Sequence, residues 1–319
     1  MVQLLWYRLQ TERLNVTNPH LSSSVRIVEP YPFTHRFHAK PDEAGMPLLS
    51  CLTRRFPYRQ HDEWRERILS GMVLVNGAGS HPEALLTAND RISHHNPCVT
   101  EPAVPDGVRI LDESSDWLLV YKPAPMPVHP GGRYNKNTLT SILEEMGYSG
   151  LKLVHRLDAV TSGIILFARN SAAALAIQQA FMRGSVNKWY YALVHGLPAH
   201  DRISIDRPII RKKGFVFTCS DAPEAREAKT HFEVVARREG QAVIRCIPVT
   251  GRTHQIRLHL REWGHPVIND TVYGPDGDDS SFMLQNRGIY LQSSCIEIVE
   301  LGISHQIGVP GEWELKGAI

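Results

Sequence analysis

The residues best suited to chemistry lie in one short run, Leu153-Val154-His155-Arg156-Leu157-Asp158-Ala159-Val160-Thr161-Ser162-Gly163. Asp158 stands in a polar turn between an apolar stretch, residues 151–154, and residues 164–167, whose side chains predict a strand. We expect a carboxylate in such a partly enclosed loop, next to a histidine and an arginine, to stay ionised and to act as a nucleophile or a base. The alternative is that Asp158 caps a backbone N–H, the commoner role of an isolated turn aspartate.

Three further motifs accompany this run. They are Leu-Val-Tyr-Lys-Pro at residues 119–123 with Val-His-Pro-Gly at 128–131, Lys-Trp-Tyr-Tyr-Ala at 188–192, and Thr-Gly-Arg-Thr-His-Gln-Ile-Arg-Leu-His at 250–259 with Gly-His-Pro at 264–266 and Asn-Asp at 269–270. Taken in their order along the chain, the four motifs resemble those of the RluA-type pseudouridine synthases. The resemblance covers residues 108–275, about half of the chain. In that family the first run reads His-Arg-Leu-Asp, two variable residues and Thr-Ser-Gly, and its Asp is the catalytic residue.

The resemblance implies a reaction and three catalytic roles. An RNA pseudouridine synthase isomerises uridine by breaking the C1′–N1 bond and rejoining C1′ to the base at C5. Asp158 would either attack C1′ as a nucleophile or remove the C2′ proton to give a glycal, and both routes stay open. Tyr190 is expected to stack under the extruded uracil and to help with proton removal, and Arg257 to pair with Asp158. Without the motifs, Tyr190 would be interpreted as a core aromatic and Arg257 as a surface arginine paired with Glu262.

The same resemblance implies which residues contact RNA. Extruding a base from folded RNA costs about a few kcal/mol, and the planar cation of Arg156 is suited to filling the gap in the stack. The other predicted RNA-binding residues form two groups. His155, Thr161, Arg252 and His254 are candidates for loop support or phosphate contact, and Lys122 and His129 are expected to shape the cleft wall. One position departs from the pattern, since Gln292 stands where many relatives carry a histidine.

No motif indicates a cofactor or a metal. The sequence has no phosphate-binding loop, no dinucleotide fingerprint and no His-Glu-x-x-His motif. Its five cysteines are scattered, which favours reduced thiols in an intracellular protein over a disulfide framework or a Cys-type zinc site. No apolar stretch reaches the roughly eighteen residues that span a bilayer. We therefore expect a monomeric, cytoplasmic protein that uses no cofactor, binds no metal and contacts no membrane.

Local clusters of basic residues indicate RNA binding more clearly than the net charge does. The 319 residues are 42% hydrophobic and 21% charged, with a net charge of +2, which is a weak indication of a nucleic-acid partner. Local clusters attract phosphates more effectively, and the candidates are Arg252, Arg257 and Arg261, and Arg207, Arg211, Lys212 and Lys213. Residues 31–33 and 128–133 resemble the branch with eukaryotic tRNA- and mRNA-modifying members, which favours tRNA over ribosomal RNA as the partner.

The chain divides into three predicted parts. Residues 1–24 lack periodicity and are interpreted as a loosely ordered extension. Residues 25–104 contain two predicted helices, 47–52 and 63–71, and a strand and turn at 72–77. They resemble the alpha-L RNA-binding module that often precedes these catalytic domains, and a small α/β cap with a structural role is the alternative.

Residues 105–319 are predicted to form the catalytic domain. Strands dominate this part, and its clearest helices are residues 171–183, capped by Ser171, and residues 253–263, capped by Thr253. Strands with few interleaved helices indicate an α+β fold. The family resemblance agrees, since it implies the pseudouridine synthase catalytic fold with a large mixed, mostly antiparallel central sheet.

Two other functions are compatible with parts of the pattern. A catalytically inactive RNA-binding protein of the same fold is the main alternative, although such a protein would be expected to lack Asp158, Tyr190 or Arg257. A nucleoside hydrolase that depends on an aspartate would usually require a second catalytic carboxylate, and the turn around Asp158 supplies none.

Overall fold

The computed structural model of the protein describes residues 24–277 and 287–313. They form two compact units, a smaller one of residues 28–101 and a larger one of the other described residues. The sequence places the smaller domain at 25–104, but residues 25–27 and 102–104 belong to the larger unit, where the strand Val25–Arg26 pairs with Val104–Pro105. Apart from Ser24, the predicted extension lies outside the described residues.

Strands make up most of the regular structure. In chain order they are β1 (Val25–Arg26), β2 (Tyr31–His38), β3 (Val73–Val75), β4 (Ala78–Gly79), β5 (Arg91–Val99), β6 (Val104–Pro105), β7 (Arg109–Glu113), β8 (Trp117–Lys122), β9 (Lys152–Leu153), β10 (Ser162–Ala168), β11 (Asn187–His195), β12 (Arg202–Asp206), β13 (Ile209–Lys213), β14 (Val216–Cys219), β15 (Lys229–Arg238), β16 (Gln241–Pro248), β17 (Leu291–Ile298) and β18 (Ile303–Gln306). The helices are α1 (Leu48–Arg55), α2 (His61–Leu69), α3 (Leu139–Glu145), α4 (Ser171–Arg183) and α5 (Gln255–Glu262), with 3₁₀ turns at Pro41–Glu43, Val299–Leu301 and Gly311–Trp313.

The smaller unit is a four-stranded antiparallel sheet that packs against α1 and α2. Its strand order is β2-β5-β3-β4. Both predicted helices are present, and each buries one apolar side: Leu52, Trp64 and Ile68 are fully buried in one cluster with Ile92 of β5. The spacing of these side chains along each helix explains why the sequence pattern located both helices.

The arginines on and between the two helices of the smaller unit are mostly paired with carboxylates. Arg54 and Arg55 both approach Glu43, at 3.4 and 3.2 Å. Arg59 and Arg65 each lie 3.9 Å from a glutamate oxygen. These ion pairs reduce the positive charge that the unit offers to phosphates, so RNA binding by the smaller unit stays a prediction.

The larger unit is built on a ten-stranded sheet with the order β12-β15-β16-β11-β17-β10-β8-β7, in which β9 also pairs with β10 and β18 with β17. All of its pairs are antiparallel except β10 with β17, which is parallel. Helices are few, and α4 packs on this sheet through Ile177 and Ala180. The predicted α+β class with a large mixed, mostly antiparallel sheet is confirmed.

The glycine of the Thr-Ser-Gly motif is required by the contact between β10 and β17. The two strands pair Gly163 with Ser293. A Cβ at residue 163 would lie 2.1 Å from the carbonyl oxygen of Ser293, and Gly163 has a φ of +110°, which L side chains rarely adopt. Only glycine therefore lets β17 approach the turn that holds Asp158.

The two helix caps predicted for the larger unit are wrong by one residue each. Asn170, not Ser171, caps α4, because its side chain accepts the N–H of Ala173. The cap of α5 is His254 rather than Thr253, and His254 adopts a left-handed φ of 58°. This conformation turns the chain sharply into α5, whose residues 255–260 are all buried.

Candidate active site

A cleft of about 590 Å³ surrounds Asp158. Its walls come from the turn before β10, from β11 and β17, from the hairpin of β13 and β14, and from the first turn of α5. The predicted site residues that line it are Asp158, Tyr190, Arg257, Arg156, His155, Thr161, Arg252, His254 and His129. Four motifs that are far apart in the sequence thus meet around one carboxylate.

The carboxylate of Asp158 faces cationic and polar groups and stays accessible. Its side chain keeps 27% of its exposure, and Oδ2 lies 3.4 Å from Nη1 of Arg257 and 3.9 Å from Nε2 of His254. The turn itself is closed by the backbone, since the N–H of Thr161 donates to the carbonyl oxygen of Asp158 at 3.1 Å. Within the described residues no backbone N–H donates to the Asp158 carboxylate, so the capping alternative does not apply.

Arg257 is held by a second carboxylate, which the sequence did not single out. Nε and Nη2 of Arg257 donate to Oδ2 and Oδ1 of Asp270 at 2.7 and 2.8 Å, and both side chains are almost fully buried. Asp270 is fixed in turn by the N–H groups of Val272 and Tyr273, at 3.1 and 3.0 Å from Oδ1. Burial alone would lower the pKa of Arg257, but the charge of Asp270 raises it above the usual range. Arg257 therefore stays cationic and keeps Nη1 directed at Asp158.

This geometry corrects two expectations for Arg257. Glu262 is not its partner, because the carboxylate of Glu262 lies 3.7 Å from Nε of Arg207. The spacing of Arg252, Arg257 and Arg261 suggested one phosphate-attracting cluster, but Arg257 is 1% exposed and cannot belong to it. The signal that could have found Asp270 is the Asn-Asp pair that follows the third motif.

Tyr190 contributes both to the core and to the cleft wall. It stands on β11 between Cys246 of β16 and Ser293 of β17, and its half-buried ring packs against apolar clusters of the sheet. Burial raises the pKa of Tyr190 to about 12. The hydroxyl therefore keeps its proton at neutral pH, and the side chain forms part of the cleft wall.

The structure does not support the place in the cleft wall that was predicted for Lys122. Its side chain is fully buried outside the lining of the cleft, and Nζ donates to the carbonyl oxygens of Pro123, Met126 and Ala159 at 3.0, 2.8 and 3.2 Å. Burial lowers the pKa of Lys122 to about 7. The amine therefore holds the proline-rich loop against the turn around Asp158, and its burial outside the cleft lining does not favour the predicted RNA contact.

Of the two roles left open for His155, the structure favours loop support. Its Nε2 accepts the N–H of Leu166 at 2.9 Å, and burial lowers its pKa to about 3. A neutral imidazole whose Nε2 is already an acceptor is poorly suited to binding phosphate. His155 thus ties the start of the motif to β10.

The remaining predicted RNA contacts differ in accessibility. Arg156 and His129 are exposed at the cleft. Arg252 is half-buried, and its Nε donates to the carbonyl oxygen of Glu227 at 2.9 Å. Thr161 is 2% exposed, and its Oγ1 is a buried hydroxyl for which the described part of the chain provides no hydrogen-bond partner. Arg156 and His129 are therefore the members of this group best placed to meet RNA.

The cleft also contains residues that the sequence did not single out as site residues. Lys188 of β11 lines it, and burial lowers the pKa of this amine. The hairpin of β13 and β14 adds Phe217, and at its tip Phe215 is 65% exposed. The same hairpin brings Arg211, a member of the second predicted phosphate-attracting cluster, to the cleft. Gln292 does not line the cleft, because Nε2 donates to Ser294 and to the carbonyl oxygen of Gly308.

The described residues contain neither a candidate metal centre nor a membrane-spanning helix. No group of three or more His, Cys, Asp or Glu side chains there could hold a metal ion. No helix among them is long and apolar enough to cross a membrane.

Curated relatives carry pseudouridine synthase names. The uncharacterized RNA pseudouridine synthase YlyB of Bacillus subtilis is 33% identical over 230 residues, which cover 68% of this chain and 74% of that protein. The mitochondrial tRNA pseudouridine(32) synthase of Saccharomyces cerevisiae is 29% identical over 264 residues, covering 80% of this chain and 56% of that protein. The chain spans only 54 to 65% of the length of other curated relatives that are 31 to 33% identical to it.

A solved structure and a family profile agree with these relatives. The structure of human RNA pseudouridylate synthase domain containing 1 superposes with a TM-score of 0.54 and 25% identity, covering 65% of this chain and 85% of that one. Residues 116–262, which include Asp158, Tyr190 and Arg257, match the family described as RNA pseudouridylate synthase. The chain therefore belongs to the RNA pseudouridylate synthase family, in its RluA-type branch.

Proposed function

We propose that this protein is an RNA pseudouridine synthase that isomerises uridine in tRNA. The observation that supports the proposal most directly is the meeting of Asp158, Tyr190 and Arg257 in one cleft, although they come from three separate motifs. RNA binding alone would not require an accessible carboxylate beside a buried, fully paired arginine, so this arrangement argues against an inactive RNA-binding relative. The family membership and the names of the relatives support the same reaction.

The reaction balances without an added reactant. The C1′–N1 bond breaks, the uracil turns in the cleft, C1′ bonds to C5, the C5 hydrogen leaves as a proton and N1 gains one. Asp158 serves either as the nucleophile at C1′ or as the base at C2′. In both routes the reacting group is the ionised carboxylate, and Arg257 stabilises that charge once the substrate has excluded water.

Tyr190 and Arg156 are assigned different tasks. The neutral Tyr190 ring stacks on the extruded uracil, and its hydroxyl can donate a hydrogen bond but is not a ready base, because its pKa is about 12. The exposed guanidinium of Arg156 occupies the space that the uridine leaves in the RNA stack. Tyr190 thus contacts the extruded base, and Arg156 contacts the opened RNA.

We propose tRNA rather than ribosomal RNA as the substrate. The yeast relative is named as a tRNA pseudouridine synthase. A basic and aromatic rim, formed by Arg211, Phe215 and Arg252, suits the phosphates and unstacked bases of an RNA loop. The monomeric state and the cytoplasmic location stay predictions from the sequence.

Tritium release tests the activity directly. Transcribed tRNAs that carry uridine tritiated at C5 are incubated with the protein, and tritium appears in water if C5 loses its hydrogen. We expect release from a subset of tRNAs, stopping at about one tritium per molecule, and pseudouridine at the same position in a sequencing assay. If only ribosomal RNA transcripts released tritium, tRNA would not be the substrate. If no RNA released tritium, the proposed pseudouridine synthase activity would be contradicted.

A further inference from the structure

Two residues beside the catalytic turn, His254 and Tyr273, are joined in a chain of hydrogen bonds. The backbone N–H of Phe217 donates to Oη of Tyr273 at 3.0 Å, and Oη lies 2.8 Å from Nδ1 of His254. Nε2 of His254 lies 3.9 Å from Oδ2 of Asp158. The hydrogen bonds thus run from the β14 backbone to His254, whose other ring nitrogen faces the carboxylate of Asp158.

The protonation of His254 follows from its surroundings. Burial lowers the pKa of His254 to about 4, with Asp158 and Asp270 acting in the opposite direction and Arg257 in the same one. The ring is therefore neutral near pH 7 and carries one proton, on either Nδ1 or Nε2. Burial also raises the pKa of Tyr273 to about 12, so its hydroxyl keeps its proton.

The hydrogen bonds around Tyr273 favour one position for the proton of His254. The oxygen of Tyr273 already accepts from Phe217, and its own proton can be donated to Nδ1 of His254. If Nδ1 accepts, the proton of the neutral ring must be on Nε2, the nitrogen that faces Asp158. The second nitrogen of the histidine is thereby made a donor to the carboxylate.

We propose, building on the function proposed above, that His254 and Tyr273 are a positioning pair for Asp158. Tyr273 fixes the tautomer of His254, and the Nε2–H of His254 donates to Oδ2 of Asp158 when the uridine closes the cleft. The 3.9 Å separation is longer than a hydrogen bond, and such contacts often tighten only in the substrate complex. Arg257 approaches the same oxygen, which leaves Oδ1 as the oxygen that meets the ribose.

The left-handed backbone of His254 provides a matched pair of variants. In His254→Gln the side-chain amide nitrogen can reach the position of Nε2, whereas in His254→Asn it reaches only that of Nδ1. Asparagine tolerates a φ of 58° better than glutamine does. Backbone strain therefore works against the variant that we expect to be more active.

Single-turnover tritium release from a transcribed tRNA substrate measures the effect on the reaction. We expect His254→Asn to lower the rate about tenfold and His254→Gln to stay within about threefold of the wild type, with RNA affinity unchanged in both. Tyr273→Phe should lower the rate about threefold to fivefold, whereas Tyr148→Phe, outside the cleft, should not. Equal losses in the Asn and Gln variants would overturn the proposal.

The tautomer of His254 can be measured by NMR without an activity assay. In a ¹⁵N–¹H correlation spectrum of histidine side chains, the signals of His254, identified by their loss in His254→Asn, should show a protonated Nε2 and an unprotonated Nδ1. Tyr273→Phe should weaken or abolish that preference. A protonated Nδ1 in the wild type, or an unchanged tautomer in Tyr273→Phe, would overturn the proposal. If no RNA released tritium, the proposed function would fail, and the spectrum would still decide whether Tyr273 fixes the tautomer.

Discussion

Arg257 and Asp270 form a two-point ion pair with both side chains almost completely buried, at 2.7 and 2.8 Å. A guanidinium paired in this way cannot rotate freely, because a planar fork bound at two points has one orientation. Its third nitrogen lies 3.4 Å from Asp158. The orientation of the carboxylate to which we assign the chemistry therefore depends on a second acid that does not line the cleft.

Replacing Asp270 should impair chemistry more than RNA binding. Asp270→Asn removes the charge that holds Arg257, so we expect a single-turnover rate about ten to a hundredfold lower and a loss of roughly 3 kcal/mol in unfolding free energy. RNA affinity should change by less than about threefold, because Asp270 is 5% exposed. The control is Glu113→Gln, which breaks the exposed pair with Arg169 and should cost less than about 1 kcal/mol. A normal rate in Asp270→Asn would contradict the positioning role.

Gly163→Ala should prevent β17 from pairing with β10. The added Cβ would meet the backbone of Ser293 at 2.1 Å, a contact that no side-chain movement relieves. We expect a loss of several kcal/mol, on the order of 4 or more, or failure to fold. Gly184→Ala is the matched control: Gly184 has a φ of +71° with nothing within 4 Å of its Cβ position, and it should cost only about 1 kcal/mol. Denaturant titrations of both variants make the comparison, and equal costs would refute the close-approach argument.

His155 should make the protein less stable in acid. Its pKa is about 3 in the folded protein and 6.5 as an ordinary value, so the unfolded chain binds the extra proton between these pH values. The stability that the neutral ring contributes is complete above pH 6.5 and is lost as the pH falls toward 3. In His155→Gln the amide oxygen can accept the N–H of Leu166 but does not titrate. The difference in unfolding free energy between wild type and variant should therefore shift by up to about 1.4 kcal/mol per pH unit below 6.5. His61→Gln, at an exposed position, is the control for losing a histidine. Parallel curves of unfolding free energy against pH for wild type and His155→Gln would show that the pKa of His155 is not lowered in the folded protein.

Arg156→Ala should separate turnover from binding. An exposed guanidinium that fills the gap in the opened RNA acts mainly after the base has left the stack. We expect the single-turnover rate to fall at least tenfold and the RNA dissociation constant to rise less than about threefold. Arg183→Ala, an exposed arginine on α4, controls for the loss of one positive charge. Equal losses of rate and affinity would show that Arg156 only binds phosphate.

The sequence was sufficient for the fold class and for most of the residues that line the cleft, because both depend on local patterns and motifs; it did not exclude Lys122 and did not find Lys188, Phe215 or Phe217. The strands of the large sheet have β-branched or alternating side chains, and α4 has an apolar face. The turn around Asp158 could be located because its polar residues interrupt two apolar segments. Tyr190 and Arg257 became candidates through motif order, not through any calculation of distance.

What the sequence could not supply were contacts between distant segments. Asp270 is 13 residues from Arg257, and the Asn-Asp pair in which it lies does not show which side chain its carboxylate meets. Lys122 ends strand β8 in the motif Leu-Val-Tyr-Lys-Pro, and only the folded chain shows three carbonyl oxygens around its amine. The left-handed cap at His254 was missed because Thr253 has the side chain that usually caps a helix.

The role of Asp158 is tested most directly by single-turnover tritium release from a transcribed tRNA substrate with Asp158→Asn. The amide keeps the size of the side chain but can serve neither as nucleophile nor as base. We predict no detectable release over the time in which the wild type completes its turnover, with an RNA dissociation constant within about tenfold of the wild type. Asp112→Asn, at an exposed position on β7, should behave like the wild type. Release by Asp158→Asn at the wild-type rate would contradict the catalytic assignment.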